Sequence, residues 1–293
     1  MIVRSEGKVQ IRDSRRRIPM HRQTIKSRLS SLASCPYLCL MKLHYREMGE
    51  GQPMVILHGL FGFSDNWQTH AKKLAEYYRV ILVDLRNHGH SDWSDDFSYS
   101  LMEDDLKELC ADLGLKKILL VGHSMGGKVA ILFAQRYEDL LEKLIVVDIG
   151  VKSYPMHHQH ILAGLHALDL NNMKARSEAD VILRKYIDSE GVIQFLLKNL
   201  YWKEKGKLAF RMNLQVLERE MGEILGALPN EEVMTPTLFI RGELSNYILD
   251  EDIPELEQRF PDFHLVTIPD AGHWVHAEAQ DAFLEALLGF CLR

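Results

Sequence analysis

Three runs of apolar, largely β-branched residues constrain this chain more than any other feature: "VILVDL" (80–85), "ILLVGH" (118–123) and "LIVVDI" (144–149). None of them alternates apolar with polar residues, as strands buried on both faces do not. A sheet of that kind needs helices on both sides. Longer amphipathic segments lie between the runs: "NWQTHAKKLAEYY", "LMEDDLKELCADLG" and "GKVAILFAQRYEDLLEK". Further strand candidates are "MKLHYREM", "MVILHG", "TLFIRG" and "HLVTIP". The alternation predicts an α/β fold with a mostly parallel sheet flanked by helices.

The rhythm stops after Asp148. Residues 151–232 hold no convincing strand but several helical patterns, among them "HILAGLHALDL", "EADVILRKYI", "EGVIQFLLKNLYW" and "LQVLEREMGEILGAL". The strand signal resumes at "TPTLFIRGE". The expected organisation is a core of residues 41–150 and 233–293 carrying a helical cap of residues 151–232. Such a cap would cover the crevice at the strand ends where open α/β sheets bind ligands.

Charge sets residues 1–40 apart. They hold nine basic and two acidic residues, whereas the remainder holds 26 basic and 39 acidic, a net charge of −13. An Arg- and Ser-rich leader of this kind reads as an organelle targeting peptide, as a basic arm, or as sequence upstream of a natural start at Met41. The last is favoured, because "MKLHYREMGEGQPMVILHG" begins like a complete domain, and the leader is then expected to be disordered. The acidic body argues against nucleic acid as a partner. No run of eighteen or more apolar residues occurs, so no membrane span is expected. Cys35, Cys39, Cys110 and Cys291 are too few and scattered for a disulfide framework. Cys35 and Cys39 have no matching pair at zinc-ligand spacing, so free thiols and a cytoplasmic setting are expected.

The stretch "LLVGHSMGGKVA" (119–130) supports two chemistries. Read as Gly122-x-x-x-x-Gly127-Lys128, it approaches a phosphate-binding loop. That loop needs Ser or Thr after the lysine to hold magnesium, and Val129 stands there. Read as Gly122-x-Ser124-x-Gly126, it is the sharp strand-to-helix turn that presents a serine nucleophile, with Lys128 an ordinary helix residue. A serine hydroxyl needs a base. Among fourteen histidines, His273 in "IPDAGHWVHAE" lies in a loop after the last strand, where such a base belongs. His276, one helical turn on, reads as packed or solvated. His88 and His90 in "RNHGHS", and His157, His158 and His160 in "MHHQH", are too poorly spaced and too far from paired carboxylates to read as a metal site. A solvated cap segment is the expectation for the latter.

The third member of such a set is a carboxylate that orients the imidazole. Its usual place, after "TLFIRG", carries Ser245. Asp148, at the end of "LIVVD", is favoured, with Asp250 and Asp270 as the alternatives. The turn "HGLFG" after the strand "MVIL" can supply one oxyanion-stabilising N–H from Leu60, and Met125, next to the nucleophile, a second.

Together "HGLFG", "DLRNHGHS", "GHSMGG", "VVDIG" and "DAGHWVHAE" resemble the α/β-hydrolase superfamily over residues 41–293, and within it the small bacterial esterases of the YbfF type. The resemblance implies Ser124 as nucleophile, His273 as base and Asp148 as acid. It implies hydrolysis of short esters or acyl-CoA thioesters with no metal or cofactor. Where those relatives tend to carry Gly-Gly-Asn-Ser, this chain has "RGELSNYI", so a different pocket wall is expected there. The expected activity is a serine esterase or acyl-thioesterase acting on a small-molecule ester or acyl-CoA. Phe61, Tyr154, Phe195 and Trp202 are candidates for an apolar lining. Carbon–carbon bond hydrolysis or a lyase reaction on the same residues, or a non-catalytic binding protein of this fold, are the alternatives.

Overall fold

The computed structural model describes residues 41–293; the basic leader, with Cys35 and Cys39, lies outside the described residues. Among the described residues there are nine strands: β1 (Tyr45–Met48), β2 (Pro53–Leu57), β3 (Arg79–Val83), β4 (Ile118–His123), β5 (Leu141–Val147), β6 (Leu200–Glu204), β7 (Lys207–Phe210), β8 (Thr237–Gly242) and β9 (Phe263–Ile268). Seven form one sheet in the order β1-β3-β2-β4-β5-β8-β9, parallel except for β1, which runs against β3. All seven strand signals of the sequence fall on these strands.

Side chains alternate across the sheet with period two. Val55, Leu57, Ile81 and Val83 point into one core, packed with Met102, Leu106, Val129 and Phe133. Met54, Ile56, Val80 and Leu82 point into the other, with Leu74, Phe283 and Leu287. The covering helices are α1 (Gln68–Leu74), α2 (Tyr99–Asp112) and α3 (Met125–Tyr137). Helices α4 (Gln159–His166), α5 (Arg176–Leu183), α6 (Glu190–Leu197), α7 (Leu214–Arg219) and α8 (Met221–Leu225) lie between β5 and β8 in the chain. Helices α9 (Ile253–Arg259), α10 (Val275–Glu278) and α11 (Gln280–Cys291) complete the described residues. Burial on both faces explains the unbroken apolar runs, and truncating a wholly buried residue such as Leu120 to Ala would cost about 2–5 kcal/mol.

Two expectations need correction. The segment "GKVAILFAQRYEDLLEK" is α-helical to Tyr137 and a 3-10 turn over Glu138–Leu140; β5 already begins at Leu141, so the strand takes the last residues that a helical reading used. The insertion between β5 and β8 contains strands. "EGVIQFLLKNLYW" is helix only to Leu197, after which Leu200–Glu204 pairs with Lys207–Phe210 as an antiparallel hairpin. Its two-residue turn, Lys205-Gly206, has Gly206 at φ +81°, a conformation that glycine adopts without steric cost. That Lys-Gly pair between "LYWKE" and "KLAF" was the available signal.

Strand order also places the site. After β2 the chain crosses to β3 on one side, then returns to β4 on the other, so the carboxyl ends of β2 and β4 flank the crevice typical of open α/β sheets.

Candidate active site

Ser124 follows directly on β4 and has φ 52°, in the left-handed region that side chains rarely enter. Backbone bonds hold it there: its N–H donates to Val147 O at 3.0 Å, and its carbonyl accepts from Gly127 N at 2.8 Å and Lys128 N at 3.1 Å. The flanking glycines are a steric requirement. A Cβ on Gly122 would lie 2.2 Å from Gly126 O, and one on Gly126 would lie 2.5 Å from His58 O. This is the strained turn that G-x-S-x-G predicted.

Register brings the acid to the same level. His123 pairs with Val147, so Ser124 and Asp148 each sit one residue past the ends of adjacent strands. Asp148 is fully buried, and its N–H donates to Ile240 O at 2.8 Å on the next strand. Three donors satisfy its carboxylate: Gly242 N at 3.0 Å, the Ser245 hydroxyl, and His273 Nδ1 at 2.8 Å. Those bonds offset the cost of burying the charge. Ser245 stands where an aspartate was looked for, and it is a partner of Asp148. Of the two alternatives, Asp250 pairs with Arg241 on the surface. The backbone N–H of Asp270 meets Glu243, and neither carboxylate is bonded to His273.

With its Nδ1 proton engaged by Asp148, His273 presents Nε2 as a lone-pair acceptor. Its loop is tied down from β4, because His123 Nε2 donates to the carbonyl of His273 at 3.0 Å. His123 has its imidazole held well below the usual value by burial, with the neighbouring His273 adding to the effect, and so stays neutral. No hydrogen bond joins Ser124 to His273 among the described residues, but both line one cavity. Resting sites often hold this pair apart until substrate arrives.

The turn after β2 is built to leave one N–H free. Phe61, at φ 60°, gives its N–H to His88 Nε2 at 3.3 Å, and its carbonyl accepts from Asn199 Nδ2 at 2.7 Å. His58 Nε2 accepts from Leu85 N at 3.0 Å, and its Nδ1 donates to Gly59 O at 2.8 Å. Both histidines are neutral. Burial lowers His58 from its usual value, and burial with the neighbouring His58 lowers His88 to about 3. With Phe61 engaged, Leu60 is left with Met125 as the pair of backbone donors beside Ser124, and neither N–H has a partner among the described residues.

The cavity measures about 270 Å³. The sheet side supplies Leu60, Phe61, His123, Ser124, Tyr247, His273 and Trp274; the insertion supplies His157, His158, His160, Ile161, Val192, Phe195 and Leu196. Phe61 and Phe195 are among its lining residues. Tyr154 does not. It borders an adjoining void of about 20 Å³ that shares Leu60, Ser124, His158 and Tyr247, and its hydroxyl contacts Gly150 N at 2.7 Å and donates to Tyr247 O at 2.9 Å. Trp202 is 43% exposed on β6 and lines neither space, because that residue belongs to the hairpin.

The "MHHQH" segment and Lys128 differ from expectation. "MHHQH" lies at the cavity, where burial and His157 push His158 down to about 3. Among the described residues no group of three or more His, Cys, Asp or Glu is placed to hold a metal ion. His276 is packed flat on Trp67, ring centroids 4.3 Å apart. Lys128 is buried and binds the carbonyls of Gly226 and Lys152, which flank the insertion; burial lowers its amine to about 8. Sequence reasoning missed Tyr247, Trp274 and Asn199, and no local pattern marks them.

Comparison with known proteins agrees with this architecture. The model of the alpha/beta hydrolase fold family matches residues 52–181. The chain is 35% identical to esterase YbfF of Escherichia coli over 84% of this chain and 98% of that one. It is 38% identical to the sn-1-specific diacylglycerol lipase ABHD11 of Mus musculus, over 81% of this chain and 80% of that one. Among solved structures, a marine microorganism esterase superposes with a TM-score of 0.83 at 41% identity, covering 85% of this chain and 99% of that one. Among the described residues, no helix is long and apolar enough to cross a membrane.

Proposed function

The chain belongs to the α/β-hydrolase family, and from that premise we propose that it is a serine hydrolase cleaving carboxylic esters or acyl thioesters through an acyl-enzyme. The observation that carries the reading is the convergence on one cavity of Ser124, the Asp148-bonded His273 and Leu60, with Met125 on the adjoining void that Ser124 and Leu60 also border; the N–H groups of Leu60 and Met125 are both open. His273 Nε2 takes the Ser124 proton as Oγ attacks the carbonyl carbon. The resulting oxyanion is received by Leu60 N–H and Met125 N–H, and Asp148 stabilises the imidazolium. The imidazolium then protonates the departing alcohol or thiol. Water, deprotonated by His273, releases the acid and restores Ser124. The steps use these protein groups and water, and invoke no metal or cofactor.

Residues 151–232 act as the cap in this reading. Ile161, Val192, Phe195 and Leu196 present an apolar surface suited to the hydrocarbon part of a small ester. The relatives named esterase and diacylglycerol lipase both cleave carboxylic esters, which favours the ester over the thioester as the first substrate to test. A panel of p-nitrophenyl esters of increasing chain length beside acyl-CoA thioesters, run on the wild type and Ser124→Ala, tests the proposal. Turnover of at least one class that vanishes in Ser124→Ala supports it. Turnover that survives in Ser124→Ala rules it out.

A further inference from the structure

Tyr247 reaches the site from the loop after β8, outside the sheet register that places the other groups. Its ring lies on the imidazole of His273, with centroids 3.9 Å apart and planes 16° from parallel. Its hydroxyl meets His157 Nε2 at 2.6 Å, and His157 Nδ1 donates to Pro155 O at 2.8 Å. With the His157 proton on Nδ1, the phenol is the donor and Nε2 the acceptor. Burial raises the Tyr247 phenol above its usual value, so it remains protonated and able to donate. The backbone of Tyr247 is held as firmly. Its N–H donates to Ser245 Oγ at 3.3 Å, its carbonyl accepts from Tyr154, and Ser245 itself is bonded to Asp148.

One hydrogen bond from Nδ1 to Asp148 fixes a point on the imidazole but leaves the ring free to tilt about that axis. A face contact removes that freedom. The face of a phenol ring also carries negative electrostatic potential, which attracts a cation stacked on it more than a neutral ring. That preference appears when His273 takes a proton, so it favours the transition state over the ground state. We infer that Tyr247 is a positioning residue for His273, acting through its ring face and anchored to the insertion by the hydroxyl bond to His157. The inference rests on the reading of His273 as the base. It assigns a role to the "SNYI" segment after β8, and to His157, which the proposed chemistry does not otherwise use.

Three substitutions test it, with steady-state kinetics on a short ester and the rate of fluorophosphonate labelling. Tyr247→Leu removes the face, Tyr247→Phe keeps the face and removes the anchor, and His157→Ala removes the anchor from the other side. Tyr247→Leu is expected to lower kcat about ten- to a hundredfold with KM little changed, the size of effect that a misplaced catalytic group produces. Tyr247→Phe and His157→Ala should each cost only a few-fold, and together no more than either alone. In a His273→Ala background, Tyr247→Leu should not slow labelling further. Tyr247→Met stands in for the leucine variant if that one does not fold.

A wild-type kcat in Tyr247→Leu with a raised KM would make the residue a cavity wall and overturn the inference. So would a loss in Tyr247→Phe as large as in Tyr247→Leu, or an undiminished effect of Tyr247→Leu in the His273→Ala background. Failure of the underlying reading looks different: Ser124→Ala and His273→Ala would then retain turnover, whatever Tyr247 does.

Discussion

The sheet core and the insertion between β5 and β8 meet at one cavity, but they hold their residues in different ways. On the core side, position follows from backbone register. Ser124 and Asp148 each stand one residue beyond paired positions of neighbouring strands, and Gly242, at the end of the next strand, donates its N–H to that carboxylate. On the insertion side, position depends on side chains reaching across. Asn199 holds the Phe61 carbonyl, His157 holds the Tyr247 hydroxyl, and Lys128 of α3 holds carbonyls at both flanks of the insertion. Register is shared by a whole sheet and tolerates no local drift, whereas side-chain ties can be changed one at a time. A core built this way suits chemistry that must not vary, and an insertion built this way suits selectivity that can.

The sharpest way to break that contrast is to disable the core residues. Ser124→Ala and His273→Ala should each lower kcat by about six powers of ten, and Asp148→Asn by about four, on every substrate turned over. Variants whose losses depended on the substrate would erase the distinction between the two sides. Next in size is Asn199→Ala, which frees the Phe61 carbonyl and loosens the turn carrying Leu60. Loss of one oxyanion donor costs about two to three powers of ten, so a weakened one should cost up to about a hundredfold in kcat with KM little changed. Unchanged kinetics in this variant would show that the turn needs no help from the insertion.

Smaller effects should come from the lining. Phe195→Ala should alter kcat/KM by about ten- to two-hundredfold between short and longer acyl chains, as hydrophobic pocket contacts generally do, and a chain-length series measures it. An equal loss across the series would place Phe195 with the core.

The smallest effect is on stability. Burial and the neighbouring histidines hold His276 well below 6.5, so the unfolded chain takes up a proton below that pH while the folded protein does not. The unfolded state then binds more protons, and stability falls as pH drops, by up to about 1.4 kcal/mol per pH unit for each such group. His276→Phe keeps an aromatic ring on Trp67 and removes this proton uptake, so its melting temperature should fall less between pH 7 and pH 5 than that of the wild type. An equal fall would mean that His276 is protonated in the fold.

How much of this was legible in the sequence follows the same division. The central strands β2, β3 and β4 were visible because burial on both faces leaves unbroken apolar runs, and Gly122 and Gly126 marked the turn because any larger residue would strike backbone. Asp148 stood out as a charge ending an apolar strand. The hairpin at 200–210 was hidden because its strands are short, largely exposed and continuous with an apolar helical pattern. Asn199, His157 and Tyr247 carry no periodic or motif signal; each acquires its hydrogen bond only when segments 90 to 138 residues apart are folded together. Trp202 was misplaced for the converse reason, since its aromatic character says nothing about which side of a hairpin faces the site.

The most direct test of the account is fluorophosphonate labelling of the whole protein, read by intact mass and peptide mapping. The account predicts a single adduct, on Ser124, formed rapidly by the wild type and nearly abolished in His273→Ala. A folded protein that takes no adduct, or one whose labelling of Ser124 is undiminished without His273, would contradict it.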